Sequence, residues 1–120
     1  MIGTNNSDHT SGEVADGILS LLDTLHLLWE DTHVAIIALP PRGEQRCAPR
    51  RKHLQVNALL AAALKGRHRA MFVDPWKADH VAIDAVLPTD AFYDYLHLTD
   101  SEYEHVAGVL AEAIRPLFSE

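Results

Sequence analysis

Apolar residues recur every three to four positions in three stretches of the chain, and two short, continuous apolar runs separate them. Val14, Ile18, Leu21, Leu22, Leu25 and Leu28 form the first recurrence, the spacing of one buried stripe on an α-helix. Thr10-Ser11-Gly12-Glu13 stands before it with the Thr-to-Glu spacing of a capping box, so a helix is predicted near 11–30. The run His33-Val34-Ala35-Ile36-Ile37-Ala38-Leu39 is stopped by Pro40-Pro41. A segment so short and so apolar suits a strand near 33–39, covered on both faces in a parallel sheet.

A loop rich in Pro, Gly and Arg occupies 40–48. Pro49 then fits a first helical turn, and Val56, Leu59, Leu60, Ala63 and Leu64 predict a second helix near 49–65, ended by Gly66. Ala70-Met71-Phe72-Val73, closed by Asp74-Pro75, predicts a second strand near 69–73. A long stretch without clear period follows, of the kind that is more often functional than idle in a compact domain. The last helix is predicted near 100–118, with Tyr103, Val106, Ala107, Leu110, Ile114 and Leu117 as its apolar face.

Helix, strand, helix, strand, helix is the alternation of an α/β fold with parallel strands joined by right-handed crossovers. Ligand sites in such sheets lie beyond the carboxyl ends of the strands. The loop after the second strand carries Asp94 and His97, which therefore belong at that edge. If Met1-Ile2 is the stump of an earlier strand, Asn5 emerges at the same edge. The first strand is expected to have only one full partner. Its other, apolar edge is a template for association, so a missing segment, a second subunit or a rearrangement is expected to cover it.

Composition narrows the function. The 120 residues, 48% hydrophobic and 22% charged, suit one soluble domain. A net charge of −7 excludes a nucleic-acid role, which needs a clustered excess of Lys and Arg. The basic stretch of Arg42, Arg46, Arg50, Arg51 and Lys52 reads as a solvated face. Cys47 stands alone, which points to a reducing, cytoplasmic setting. The first ten residues are polar and unlike a signal peptide. No apolar run approaches the roughly 20 residues of a membrane span. His9, His26, His33, His53, His68, His80 and His105 lack the spacing of a zinc site and read as scattered surface groups. No cofactor or metal is expected. Trp29 and Trp76 read as core or loop anchors, with Phe92 as a packing neighbour.

The candidate chemistry lies at the two ends of the chain. An Asp and a His three apart, Asp94 and His97, can orient and tune one imidazole as a general base, and Asn5 in Gly3-Thr4-Asn5-Asn6 can donate to an oxyanion. Ser7, Ser11, Ser20, Ser101 and Ser119 are the candidate nucleophiles, and none follows a strand in a Gly-Asp-Ser context. Ser7 reads as a loop or helix-entry residue.

Four stretches occur together in one order: Gly3-Thr4-Asn5-Asn6, Leu39-Pro40-Pro41-Arg42-Gly43-Glu44, Val56-Asn57-x-Leu59-Leu60 and Asp94-Tyr95-Leu96-His97-Leu98-Thr99. In these the chain resembles the C-terminal portion of the SGNH (GDSL-type) hydrolases, and is particularly similar to the intracellular platelet-activating-factor acetylhydrolase catalytic subunits. The resemblance implies a partial flavodoxin-like, three-layer α/β/α fold. It implies Asn5 as an oxyanion-hole donor, His97 as general base and Asp94 as the residue holding its tautomer. Residues 1–120 are then expected to form a single incomplete domain without the nucleophile-bearing block, and to be poorly active alone. The implied activity is carboxylic ester hydrolysis on a small ester or acetylated lipid. The alternative is a non-catalytic module that dimerises, pairs with a related subunit or binds a WD40-repeat partner.

Overall fold

The structure is a computed structural model that describes residues 1–45, 47–77 and 85–118; Arg46, His80 and Ser119 lie outside the described residues. Thr10 is extended, and its hydroxyl accepts from the Glu13 N–H at 3.1 Å while the Glu13 carboxylate accepts from the Thr10 N–H at 3.1 Å. This reciprocal cap starts α1 (Ser11–Leu28). A first strand, β1 (Val34–Ile37), leads to α2 (Ala48–Leu64), whose second residue is Pro49. Then come β2 (Ala70–Val73) and α3 (Asp100–Ile114), followed by one 3-10 turn, Arg115–Phe118. All five expected elements are present. Their ends differ from the sequence reading mainly in α3, whose last predicted turn tightens into that 3-10 turn.

β1 and β2 run parallel, with Val34 beside Ala70 and Ile37 beside Val73. The Val34 N–H donates to Arg69 O at 2.9 Å and the Ala38 N–H to Val73 O at 2.8 Å. Period-two alternation divides β1 between two cores. Ile36 packs with Val14, Val56 and Leu60 from α1 and α2, whereas Ile37 packs with Trp76, Phe92 and Val106 on the α3 side. Helices thus cover both faces of an open two-stranded sheet, and the fold is α/β.

Three expectations need correction. Met1-Ile2 leads into a turn and forms no strand. Trp29, the residue that caps the C-terminal end of α1, is 58% exposed and packs in neither core. The buried positions of α3 are Glu102 and Val106, whereas Tyr103 is 55% exposed. The Trp76 indole N–H donates to Glu102 Oε1 at 2.9 Å and His105 Nε2 bonds Pro75 O at 2.8 Å. Those polar contacts rotate α3 away from the stripe its apolar residues suggest.

Candidate active site

Three loops meet beyond the carboxyl end of β1, and α2 assembles them. The β1–α2 loop opens with Leu39, Pro40 and Pro41, all buried. Buried carbonyls need donors, and proline supplies no N–H of its own. Arg50, His53 and Asn57, on one face of α2, supply the partners. The Asn57 side chain accepts from the Leu39 N–H at 2.7 Å and donates to the Leu39 carbonyl at 2.9 Å. His53 Nδ1–H donates to Pro40 O at 2.8 Å. The fully buried Arg50 guanidinium donates to Arg42 O at 3.1 Å, to Ala85 O at 2.7 Å and to Gly43 O.

The loop so held ties down the other two. The Gly43 N–H donates to Tyr95 O at 2.8 Å, reaching the segment of Asp94 and His97. Arg42 Nη1 donates to Thr4 O at 3.0 Å, and Lys52 Nζ donates to Asn6 O at 2.6 Å and Ser7 O at 3.0 Å. The carbonyls flanking Asn5 are therefore each held by a cation. Gly3, at φ +98°, makes the turn, and a Cβ there would come within 2.9 Å of Leu39 Cδ2.

Asp94 is a local organiser. One carboxylate oxygen accepts from the backbone N–H of Leu96 at 3.0 Å and of His97 at 2.7 Å, while the other accepts from His97 Nδ1–H at 2.5 Å. The backbone N–H of His97, then its ring, hold the Asp94 carboxyl below the usual carboxylate range. The side chain is accordingly ionised at neutral pH. Tyr93 stacks on the His97 ring, with centroids 5.8 Å apart and planes at 18°. A carboxylate only accepts, so Nδ1 carries the proton of the neutral ring and Nε2 carries the lone pair.

Asn5 and His97 line one cleft of about 190 Å³, with Thr4, Pro40 and Tyr103 also on its walls. The amide at one end of the chain and the Asp–His couple near the other are thus brought to a common rim. A larger cavity, about 350 Å³, lies elsewhere, between α1 and the open side of β1. Among the described residues only apolar side chains line it, whereas the smaller cleft holds the Asp-oriented imidazole.

Sequence reasoning missed the α2 clamp. Arg50, His53 and Asn57 continue the buried stripe of Leu60 and Leu64 at three-to-four spacing, and polar residues on such a stripe are the signal that was available. The basic stretch is correspondingly not one solvated face. Arg50 is buried and Arg42 and Lys52 are half-buried loop staples, leaving Arg51 exposed. His53 is likewise no surface group, being 4% exposed. Trp76 and Phe92 both pack in the α3-side core rather than in the cleft.

Burial, with lesser contributions from Arg42 and Lys52, depresses the His53 pKa below 6.5. The unfolded chain therefore binds this proton first as pH falls. Stability is expected to drop on acidification through about 6.5 towards the lower folded value. Urea midpoints measured at about pH 7.5 and about pH 5.5 should differ less in His53→Gln than in the parent chain. An equal difference in both would remove His53 from the account.

No protein-family model matches the chain. Curated relatives do. The platelet-activating factor acetylhydrolase IB subunit alpha1 of Rattus norvegicus and that of Homo sapiens are each 34% identical over 119 residues, 99% of this chain and 51% of theirs. The alpha2 subunit of Gallus gallus is 33% identical over 119 residues, covering 52% of its length. This chain is a homologue of the platelet-activating factor acetylhydrolase IB alpha subunits. It spans about half the length of these curated relatives. Among solved structures, the esterase domain of the ZfL2-1 ORF1 protein from a zebrafish retrotransposon superposes with a TM-score of 0.73. That match covers 97% of this chain and 66% of the other at 18% identity, and so shows a shared fold. Among the described residues no helix of this acetylhydrolase homologue is long and apolar enough to cross a membrane.

Proposed function

We propose that this chain is the base-bearing and oxyanion-donating part of an SGNH-type carboxylic ester hydrolase. The observation that carries the reading is the shared cleft of Asn5 and the Asp94–His97 couple. In this reading His97 Nε2 takes the proton of an attacking hydroxyl and returns it to the leaving group, and Asp94 fixes the tautomer that makes this possible. The Asn5 amide donates to the oxygen that becomes negative in the tetrahedral intermediate. The hydroxyl belongs to a serine block outside these 120 residues, so residues 1–120 are an incomplete domain. The substrate class is a small ester or an acetylated lipid, as the relatives' name suggests. The lone Cys47 supports a cytoplasmic setting.

A chimera tests this. The chain replaces its matching segment in the rat alpha1 subunit, and hydrolysis of an acetyl ester is measured. Activity is expected to survive, and His97→Ala in the chimera is expected to lower kcat by about three to six orders of magnitude. A folded chimera whose activity ignores His97→Ala sinks the assignment.

One observation favours the alternative, an interaction module. Val34 and Ala38 turn their N–H groups to β2, so those of Ala35 and Ile37 face the open edge beside the apolar groove. A second copy, a related subunit or a WD40-repeat partner is the occupant in that reading.

A further inference from the structure

The cleft holds a nucleophile even without the serine. Nδ1 of His97 is committed to Asp94 at 2.5 Å, and the ring is 62% exposed. Nε2 has no hydrogen-bond partner among the described residues. No serine or cysteine among the described residues lines the cleft, and the Thr4 hydroxyl donates to Met1 O at 3.1 Å. Asn5 lines the same cleft. An oriented, exposed imidazole with a lone pair, in a cleft that no serine or cysteine of the described residues lines, is itself an acyl acceptor.

We propose that His97 is acylated directly by activated acyl donors, such as aryl esters and acyl phosphates, and that this chain hydrolyses them slowly through an N-acyl imidazole. The Nε2 lone pair forms the bond to the acyl carbon, and the carbonyl π pair moves onto oxygen, where the Asn5 amide donates. Collapse of this adduct breaks the bond to the leaving group, which departs as aryloxide or phosphate. The Nδ1 proton passes through Asp94 to water, leaving a neutral acyl imidazole. Water then attacks the acyl carbon, releasing the carboxylic acid and restoring the imidazole. Alkyl esters fall outside the class, because an alkoxide is far more basic than imidazole and the adduct reverts by expelling the imidazole.

This inference shares the cleft with the proposed hydrolase but requires no serine, so the two fail separately. The test uses the 120-residue chain with p-nitrophenyl acetate, read as nitrophenolate release. Diethyl pyrocarbonate, whose histidine adduct survives digestion, locates the reacting residue by peptide mass. An initial burst of nitrophenolate is expected that His97→Ala removes. His97 is expected to react at least about tenfold faster than His33, an exposed imidazole of the same chain. Asp94→Asn favours the wrong tautomer and should slow His97 by at least about tenfold while leaving His33 unchanged. Reaction of His97 no faster than His33, indifference to Asp94→Asn, or acetyl label confined to amines overturns the proposal. None of these outcomes touches the general-base role, which the chimera decides.

Discussion

Assayed alone against an alkyl acetate, the 120-residue chain is expected to show hydrolysis at the level of buffer. Removing the nucleophile from a serine triad costs on the order of a million-fold in turnover, and here the cleft of Asn5 and His97 carries no serine among the described residues. Asp94 still orients the ring, and Asn5 shares its cleft, so in the proposed reading the groups present act on a proton and on an oxyanion. Neither forms a bond to the acyl carbon of an unactivated ester that holds long enough to matter. The measurement is acetate release under conditions where the chimera turns over. Release at rates ordinary for enzymes, about 1 to 1,000 per second, and lost in His97→Ala, would place a working hydroxyl within this chain and remove the reading of an incomplete site.

The second large effect is on stability. Arg50→Ala is expected to destabilise the fold by about 3–5 kcal/mol, the scale on which a buried charged partner is lost, out of a total of roughly 5–15 kcal/mol. The guanidinium is fully buried and serves the carbonyls of Arg42, Gly43 and Ala85. Truncation leaves buried acceptors without donors and opens a void at the start of α2. Arg51→Ala, at the neighbouring exposed position, should stay within about 0.5 kcal/mol. Urea or thermal unfolding of the two variants separates them. A loss below about 1 kcal/mol in Arg50→Ala would mean that the Arg42–Gly43 loop does not depend on this clamp. Because the same loop bonds Tyr95 and Thr4, Arg50→Ala should also loosen the rim that Asn5 and His97 share.

Local signals carried most of the fold. The Thr10–Glu13 cap, the apolar run ended by Pro40-Pro41, and Pro49 in the first turn of α2 each act over a few residues, and each element lies where its signal places it. The face of α3 was not legible from apolar spacing, because a buried Glu102 bonded to Trp76 outweighs the exposure of Tyr103. Asp94 and His97 were legible as a pair, since their bond spans only three residues. The role of the Leu39–Glu44 stretch was not, because its partners on α2 come from 8 residues away for Arg50 to Arg42 and 18 for Asn57 to Leu39.

The amino-acid sequence by itself determined the elements, their order, the Asp–His couple and the absence of a Gly-Asp-Ser turn, all of which depend on neighbours along the chain. Tertiary structure alone decided that Arg50, His53 and Asn57 point inward. It also decided that Arg42 and Lys52 pin the Asn5 turn and that Asn5 reaches the cleft of His97. The physical reason is desolvation. Which polar groups are buried is fixed only when distant segments pack, and each carbonyl shut off from water then selects the donor that happens to reach it.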